Sequence, residues 1–265
     1  MSWSAARTVS KLTVAGASLA AACSKPAPSH PLRIAAAADL AAAFADVGKA
    51  FEKKTGVRPT FSFGSTGLLE EQIEEGGPFD VFAAANVSFA DRAVRSGACD
   101  GATQTLYARG RIVVYTPKVA RLAPPASIAG LADPRFDKIA IANPEHAPYG
   151  IAARQALEHA GIWERVKSRV VFGENVQQAL AFAQTGNADA AIVALSLVLH
   201  AKDGTCVPIE PTFYAPIDQA MVVCKGGGNA GGGKRFLEFA NGPEGRAIMR
   251  RYGFLLPGES LAESE

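Results

Sequence analysis

The chain has 265 residues, of which 48% are hydrophobic and 20% charged, a composition that excludes a disordered chain and a multi-span membrane protein. It carries 27 Lys and Arg residues against 25 Asp and Glu residues, a formal net charge of +2. So small an excess of basic residues argues against binding of nucleic acid, and the expected ligand is a small molecule or ion.

The N-terminal stretch is typical of an export signal. Arg7 and Lys11 precede an uncharged apolar run, residues 12–22, that is too short to span a bilayer. We therefore expect residues 1–22 to be a signal peptide, and its removal leaves 25 basic and 25 acidic residues. The protein is then expected in the periplasm, a compartment that permits disulfide bonds.

Cys23 follows Leu19 and three alanines, a sequence similar to the bacterial lipobox that is cleaved before a lipid-modified cysteine. The alternative is cleavage by the ordinary signal peptidase, which leaves Cys23 as a free N-terminal residue. Residues 23–30 are rich in proline and predict an extended tether. The lipobox interpretation places the protein on the membrane through a lipidated Cys23.

From residue 32 onward, short β-like runs alternate with helical periodicities, which predicts an α/β fold with a largely parallel sheet. The first series has expected strands at 32–37, 57–63 and 80–84, and expected helices at 39–54, 66–75 and 90–96. A strand at 111–115 and a Pro-rich connection follow. The second series has strands at 138–142 and 190–193 and helices near 150–160 and 176–184. After residue 216 come another strand at 219–224 and a C-terminal helix ending near 252–254.

The Gly-rich stretch, the cysteines and the histidines show no clear chemical motif. The Gly-rich stretch 226–233 lacks the Lys-Ser/Thr ending of a phosphate loop, so it is interpreted as a flexible surface loop. Cys206 and Cys224 each lie in or beside an apolar β-like run, which leaves a disulfide between them open. The histidines are scattered and no CxxC is present, so no protein-ligated metal is expected.

Four strand-to-helix joints are the candidate binding elements. They are Ala38-Asp39, Ser65-Thr66, Pro148-Tyr149 and Asn175-Val176. Each places backbone N–H groups at the start of a helix, and at the carboxyl edge of an α/β sheet such starts form sites for anions. Taken singly, Asp39, Ser65, Thr66 and Asn175 are also ordinary helix caps.

The sequence at these joints resembles the periplasmic molybdate-binding proteins, the solute receptors of molybdate ABC importers. The resemblance rests on residues 35–40, 63–67, 80–82, 143–150 and 251–254, in matching order and spacing. It implies an α/β, two-lobed periplasmic-binding-protein fold with a ligand cleft between the lobes and a hinge of two chain crossings. Lobe one would comprise residues 31–110 and 217–265, and lobe two residues 111–216.

The same resemblance implies a monomeric receptor that binds molybdate or tungstate, uses no cofactor, catalyses no reaction and has the importer's membrane permease as its partner. The implied anion ligands are Ala38, Asp39, Ser65 or Thr66, Tyr149 and Val176. All would act as neutral hydrogen-bond donors, through backbone N–H groups and, at Ser65 or Thr66, through a hydroxyl.

The chain departs from the family pattern at two of its positions. Asp39 stands where the family often has Ser, so its N–H is expected to face the anion while its carboxylate caps the helix or turns outward. Ala194 stands where some members have a Tyr that donates its hydroxyl. The hydroxyl of Tyr149 is expected to fill that role.

Three other functions remain open at this stage. The first is a receptor for another oxyanion, such as sulfate or thiosulfate, or for a small organic acid. The second is a secreted hydrolase that uses His146 or His159, although no Gly-x-Ser-x-Gly motif or carboxylate pair accompanies them. The third is a ligand-sensing module that reports to a partner protein.

Overall fold

The computed structural model describes residues 1–3 and 31–259. Most of the expected signal peptide, the tether and Cys23 therefore lie outside the described residues. Within the described ranges, no helix is both long enough and apolar enough to cross a membrane.

Strands and helices alternate along most of the described chain. The strands are β1 (Leu32–Ala37), β2 (Pro59–Gly64), β3 (Val81–Ala84), β4 (Cys99–Gly110), β5 (Ile112–Pro117), β6 (Ile139–Ala142), β7 (Val170–Gly173), β8 (Ala190–Ala194), β9 (Gly204–Pro208) and β10 (Ile217–Cys224). The α-helices are α1 (Ala41–Thr55), α2 (Thr66–Glu74), α3 (Val87–Arg95), α4 (Pro148–His159), α5 (Trp163–Val166), α6 (Val176–Gln184), α7 (Leu195–Val198), α8 (Ala230–Ala240) and α9 (Pro243–Arg251). A short 3-10 turn, Ala38–Leu40, leads from β1 into α1.

Residues 31–259 contain two five-stranded sheets, with strand orders β2-β1-β3-β10-β4 and β7-β6-β8-β5-β9. The chain crosses between them twice, from β4 to β5 and from β9 to β10. This two-lobed α/β architecture confirms the expected fold class. The sheets are mixed rather than largely parallel, because β5 and β10, which follow the crossings, run antiparallel to both of their neighbours.

Sheet membership supports the proposed division into lobe one, residues 31–110 and 217–265, and lobe two, residues 111–216. The returning strand β10 lies in the same sheet as β1 to β4. The helix after it packs on α1, where the Phe236 ring lies 5.7 Å from that of Phe44 and 5.4 Å from that of Phe51.

The disulfide joins Cys99 to Cys224, and Cys206 is free. Cys99 begins β4 and pairs in register with Cys224 at the end of β10. The sequence pattern gave no strand here because residues 99–105 are largely polar and partly exposed at the sheet edge. Without β4, the true partner of Cys224 was hidden, and the pairing of Cys206 with Cys224 that the sequence left open is wrong.

The Gly-rich stretch is more ordered than the sequence suggested. Asn229 caps α8 by accepting a hydrogen bond from the N–H of Gly232, so Gly231 to Gly233 belong to the helix. The preceding turn wraps the buried carboxylate of Asp80, whose Oδ1 accepts from the Asn229 N–H at 2.6 Å. A Cβ on Gly227 would lie 2.1 Å from that oxygen, so this position requires glycine. The stretch is therefore a short turn between β10 and α8 followed by the first turn of α8, rather than a loop over its whole length.

Candidate anion-binding site

A small cavity lies where the carboxyl ends of both sheets meet. It is lined by residues 37–39, 64–66, 147–149 and 175–176, together with Ala85. All six residues expected at the site, Ala38, Asp39, Ser65, Thr66, Tyr149 and Val176, lie in this lining and are buried. The cavity volume is only about 10 Å³, so the two lobes meet closely here.

Three of the four helix starts at the cavity have no capping side chain. The 3-10 turn at Ala38 follows Ala37, and α4 follows Ala147, neither of which has a polar side chain. Ser65 precedes α2 but does not cap it. The first N–H groups of a helix have no acceptor within the helix, so these buried starts present donors to the cavity.

The fourth helix start is partly capped. Asn175 Oδ1 accepts hydrogen bonds from the N–H groups of Gln177 and Gln178, each at 3.0 Å. Asn175 does not accept from the N–H of Val176, and Val176 lines the cavity. In α4 the first residue is Pro148, which has no N–H, so Tyr149 supplies the first donor of that helix.

The two hydroxyl groups of the second joint have different partners. Ser65 Oγ donates to the carbonyl oxygen of His146 at 2.8 Å and lies 2.7 Å from His146 Nδ1. Both contacts are satisfied only if Nδ1 carries the proton. Thr66 Oγ1 accepts from the Ala85 N–H at 3.3 Å and keeps its own proton for another acceptor. Of the two residues, Thr66 is thus the candidate hydroxyl donor.

A contact between the lobes, here called the latch, joins Ser65 and Gly67 of lobe one to His146 of lobe two. The Gly67 N–H donates to the His146 carbonyl oxygen at 2.9 Å, beside the hydroxyl of Ser65. A Cβ on Gly67 would lie 2.8 Å from that same oxygen. This contact between the two lobes therefore depends on the absence of a side chain at Gly67.

The Asp39 side chain neither caps its helix nor turns outward, which corrects the expectation from sequence. It is fully buried, and Oδ2 accepts hydrogen bonds from Tyr149 Oη at 2.8 Å and Gln219 Nε2 at 2.7 Å. The hydroxyl of Tyr149 has one proton, which it donates in the hydrogen bond to Asp39. The expectation that this hydroxyl donates to the anion is wrong, and only the Tyr149 N–H remains for that role.

The family of bacterial extracellular solute-binding proteins matches residues 32–255. The chain belongs to this family. The molybdate-binding protein ModA of Rhodobacter capsulatus is 33% identical over 230 residues, which cover 87% of this chain and 90% of the relative. ModA of Azotobacter vinelandii is 33% identical over 253 residues, which cover 93% and 98%.

Structural similarity points to the same relatives. The solved structure of the Azotobacter vinelandii periplasmic molybdate-binding protein has a TM-score of 0.79 and 29% identity to this solute-binding protein. The match covers 85% of this chain and 99% of that structure. The resemblance to periplasmic molybdate-binding proteins that residues 35–40, 63–67 and 143–150 carry is confirmed.

Burial controls ionisation at the centre of this solute-binding protein. It raises the pKa of Asp39 from 3.8 to about 6, although the hydrogen bonds from Gln219 and Tyr149 work in the opposite direction. Burial and the nearby Asp39 carboxylate raise the pKa values of Tyr149 and Tyr107 well above 10. Both tyrosines are neutral donors at physiological pH.

Gln219 and Tyr107 are part of the site's support and were missed by sequence reasoning. Tyr107 Oη donates to Gln219 Oε1 at 2.7 Å, which orients the amide so that Nε2 faces Asp39. The available signal was a glutamine directly before the apolar run of residues 220–224. Such a residue is buried with a partner or at an edge, and the sequence does not say which.

In the described part of the chain, neither histidine proposed for a hydrolase contacts both a hydroxyl or thiol nucleophile and an acidic side chain. His146 directs Nδ1 to Ser65 within the latch, and the His159 ring packs on Phe213 with centroids 4.3 Å apart, outside the cavity lining. Within the described residues, no cluster of His, Cys, Asp and Glu is arranged to hold a metal ion.

The latch yields a direct test of closure. Gly67→Ala should weaken oxyanion binding by about tenfold or more, because the new methyl group overlaps the His146 carbonyl only when the lobes close. Ala favours helix α2, so the melting temperature without ligand should not fall. The matched control is Gly231→Ala in α8, whose Cβ position is open. Equal affinities of both variants, measured by calorimetric titration, would contradict the latch.

Proposed function

We propose that the protein is a periplasmic receptor that captures molybdate or tungstate and delivers it to the permease of an ABC importer. The observation that carries this proposal is the convergence of four buried helix starts, three without side-chain caps, on one small cavity. Helix starts of this kind bind oxyanions through N–H groups and through the positive end of the helix dipole.

The donor set suits a fully deprotonated dianion. The proposed donors are the N–H groups of Ala38, Asp39, Thr66, Tyr149 and Val176 and the hydroxyl of Thr66. No Lys or Arg is among the described residues that line the cavity. Removing a dianion from water costs several kcal/mol, and a nearly complete shell of charge-assisted hydrogen bonds offsets this cost.

Selectivity would follow from cavity size, because neutral donors on rigid helix starts do not adapt to a smaller ion. Molybdate and tungstate have nearly the same size, so both are expected to bind alike. Sulfate is smaller and leaves some donors without an acceptor, which is costly in a buried site.

Donors from both lobes imply that binding and closure are coupled. Asp39 and Thr66 lie on the side of the first sheet, and Tyr149 and Val176 on the side of the second. We propose that the anion first binds lobe one and that lobe two completes the shell when the hinge closes. The protein would act as a monomer, without a cofactor and without catalysis. Cys23, outside the described residues, would anchor it to the membrane through lipid.

A thermal-shift screen with molybdate, tungstate, sulfate, thiosulfate, phosphate and citrate tests this function. Molybdate and tungstate should raise the melting temperature, and the shift should increase with the logarithm of their concentration. A shift with sulfate or thiosulfate alone would make the protein a receptor for another oxyanion. No shift with any of these anions would overturn the proposal.

A further inference from the structure

Asp39 is an unusual group for an anion site, because it places a carboxylate among the residues that line the cavity. Its side chain is fully buried, and the two donors from other elements, Tyr149 and Gln219, bind the same oxygen, Oδ2. The other oxygen, Oδ1, has no hydrogen-bond partner within residues 31–259. A proton on Oδ1 would therefore break no existing hydrogen bond.

No cation among the groups that act on Asp39 compensates its negative charge. Burial is the largest influence on its ionisation, and the others are the hydrogen bonds from Gln219, Tyr149 and its own backbone. Each neighbouring element presents an uncharged residue to Asp39 or to the cavity beside it. These residues are Ser65 after β2, Tyr107 on β4, Tyr149 on α4, Val176 on α6, Ser196 on α7 and Gln219 on β10. The titratable His146 contacts Ser65 rather than Asp39.

We propose that Asp39 binds a proton on Oδ1 when the oxyanion enters, so that a neutral carboxylic acid rather than a carboxylate faces the dianion. The inference rests on the proposed function. The proton comes from solvent and the anion keeps its charge. The new O–H requires an acceptor, and the bound oxyanion brings its oxygens into the same cavity.

The physical reason is repulsion between two buried negative charges. With a pKa of about 6 in the unliganded protein, Asp39 is mostly ionised at neutral pH. A dianion in the adjacent cavity raises that pKa further, because like charges in a poorly solvated site disfavour ionisation. Binding at neutral pH is then coupled to uptake of about one proton, and affinity decreases as the pH rises.

Calorimetric titration of sodium molybdate into the wild-type protein measures this coupling directly. Titrations at about pH 7.5 in two buffers with different ionisation enthalpies should differ by the heat of about one proton taken up. The affinity should fall by about fiftyfold between about pH 6 and about pH 8, because the protonated fraction of unliganded Asp39 falls from about one half to about one hundredth. Identical heats in both buffers, with binding intact, would overturn the inference and leave the proposed function standing. Absence of binding at every pH, with molybdate and with tungstate, would overturn both.

Asp39→Asn supplies a second test, because its amide mimics the protonated acid. The Asn oxygen can accept from Tyr149 and Gln219 while its N–H₂ takes the position of the protonated Oδ1. This variant should bind molybdate at about pH 8 up to about a hundredfold more tightly than wild type, whose Asp39 is only about one hundredth protonated there, and should show little pH dependence. The matched control is Asp46→Asn on α1, a carboxylate that also accepts from a tyrosine, Tyr252, at 2.9 Å but lies outside the cavity.

The control should keep the wild-type pH dependence and buffer-dependent heat. Weaker binding of Asp39→Asn at every pH, in a protein that melts like wild type, would show that the ionised carboxylate is required and would overturn the inference. If Asp39→Asn does not fold, the buffer comparison on the wild-type protein decides the question.

Discussion

Replacing Cys99 and Cys224 together with Ser is expected to lower the free energy of unfolding by about 2 to 5 kcal/mol. The two cysteines are separated by 125 residues, so their bond closes a long loop and removes much conformational freedom from the unfolded chain. The bond also fastens the edge strand β4 to β10, where both cysteines are buried. Its loss exposes lobe one to local opening at the sheet edge.

Urea unfolding of the double variant and of wild type, with and without a reductant, measures this effect. Reduction should destabilise wild type to the level of the double variant and leave the double variant unchanged. Cys206→Ser is the control, because Cys206 is the free thiol among the described cysteines. Peptide mapping that finds Cys99 and Cys224 unlinked in periplasmic protein, or an equal effect of Cys206→Ser, would contradict the assignment.

The parts of the site that sequence predicted correctly depend on neighbours in the chain. The helix expected from Val176 to Gln184 has those bounds, and Asn175 caps it through bonds to residues two and three positions ahead. The start of α2 at Thr66 was also predicted. Helix starts follow from caps, glycines and the change of hydrophobic period, all of which are visible within about ten residues.

The parts that sequence reasoning missed join residues that are far apart in the chain. The carboxylate of Asp39 meets Tyr149 across 110 residues and Gln219 across 180. The direction in which a buried side chain points depends on which partner reaches it. The residues next to Asp39 in the chain therefore indicated only a helix cap. The same reason hid the disulfide, since Cys99 becomes the neighbour of Cys224 only when β4 pairs with β10.

The C-terminal motif that contributed to the family resemblance contacts the first crossing between the two sheets. Gly253 adopts a φ of 80°, and its carbonyl accepts two hydrogen bonds from the Arg111 guanidinium at the first crossing. Leu255 then pairs with Arg109 through two backbone hydrogen bonds. Residues 253–255 therefore fasten this C-terminal segment to the end of β4, next to the first crossing.

The ionisation of Asp39 should also control stability in the absence of ligand. Its pKa rises from 3.8 to about 6 on folding, so the unfolded chain releases the proton at lower pH than the native protein. The neutral acid makes its full contribution to the free energy of unfolding below about pH 4, and this contribution is lost as the pH rises through about 6. Asp39→Asn removes this loss because it carries no charge at any pH.

Between about pH 4.5 and about pH 7.5, the unfolding free energy of Asp39→Asn relative to wild type should therefore rise by about 2 kcal/mol. Urea unfolding of the unliganded proteins at both pH values measures this difference. Asp46→Asn should show the opposite direction, because the hydrogen bond from Tyr252 holds the pKa of Asp46 below its usual value and its charge favours folding at neutral pH. If the relative stability of Asp39→Asn does not change with pH, Asp39 has the same pKa in the folded and unfolded chains. The carboxylate would then need further stabilising partners in the folded protein, because its hydrogen bonds from Tyr149 and Gln219 do not offset the effect of burial on its pKa.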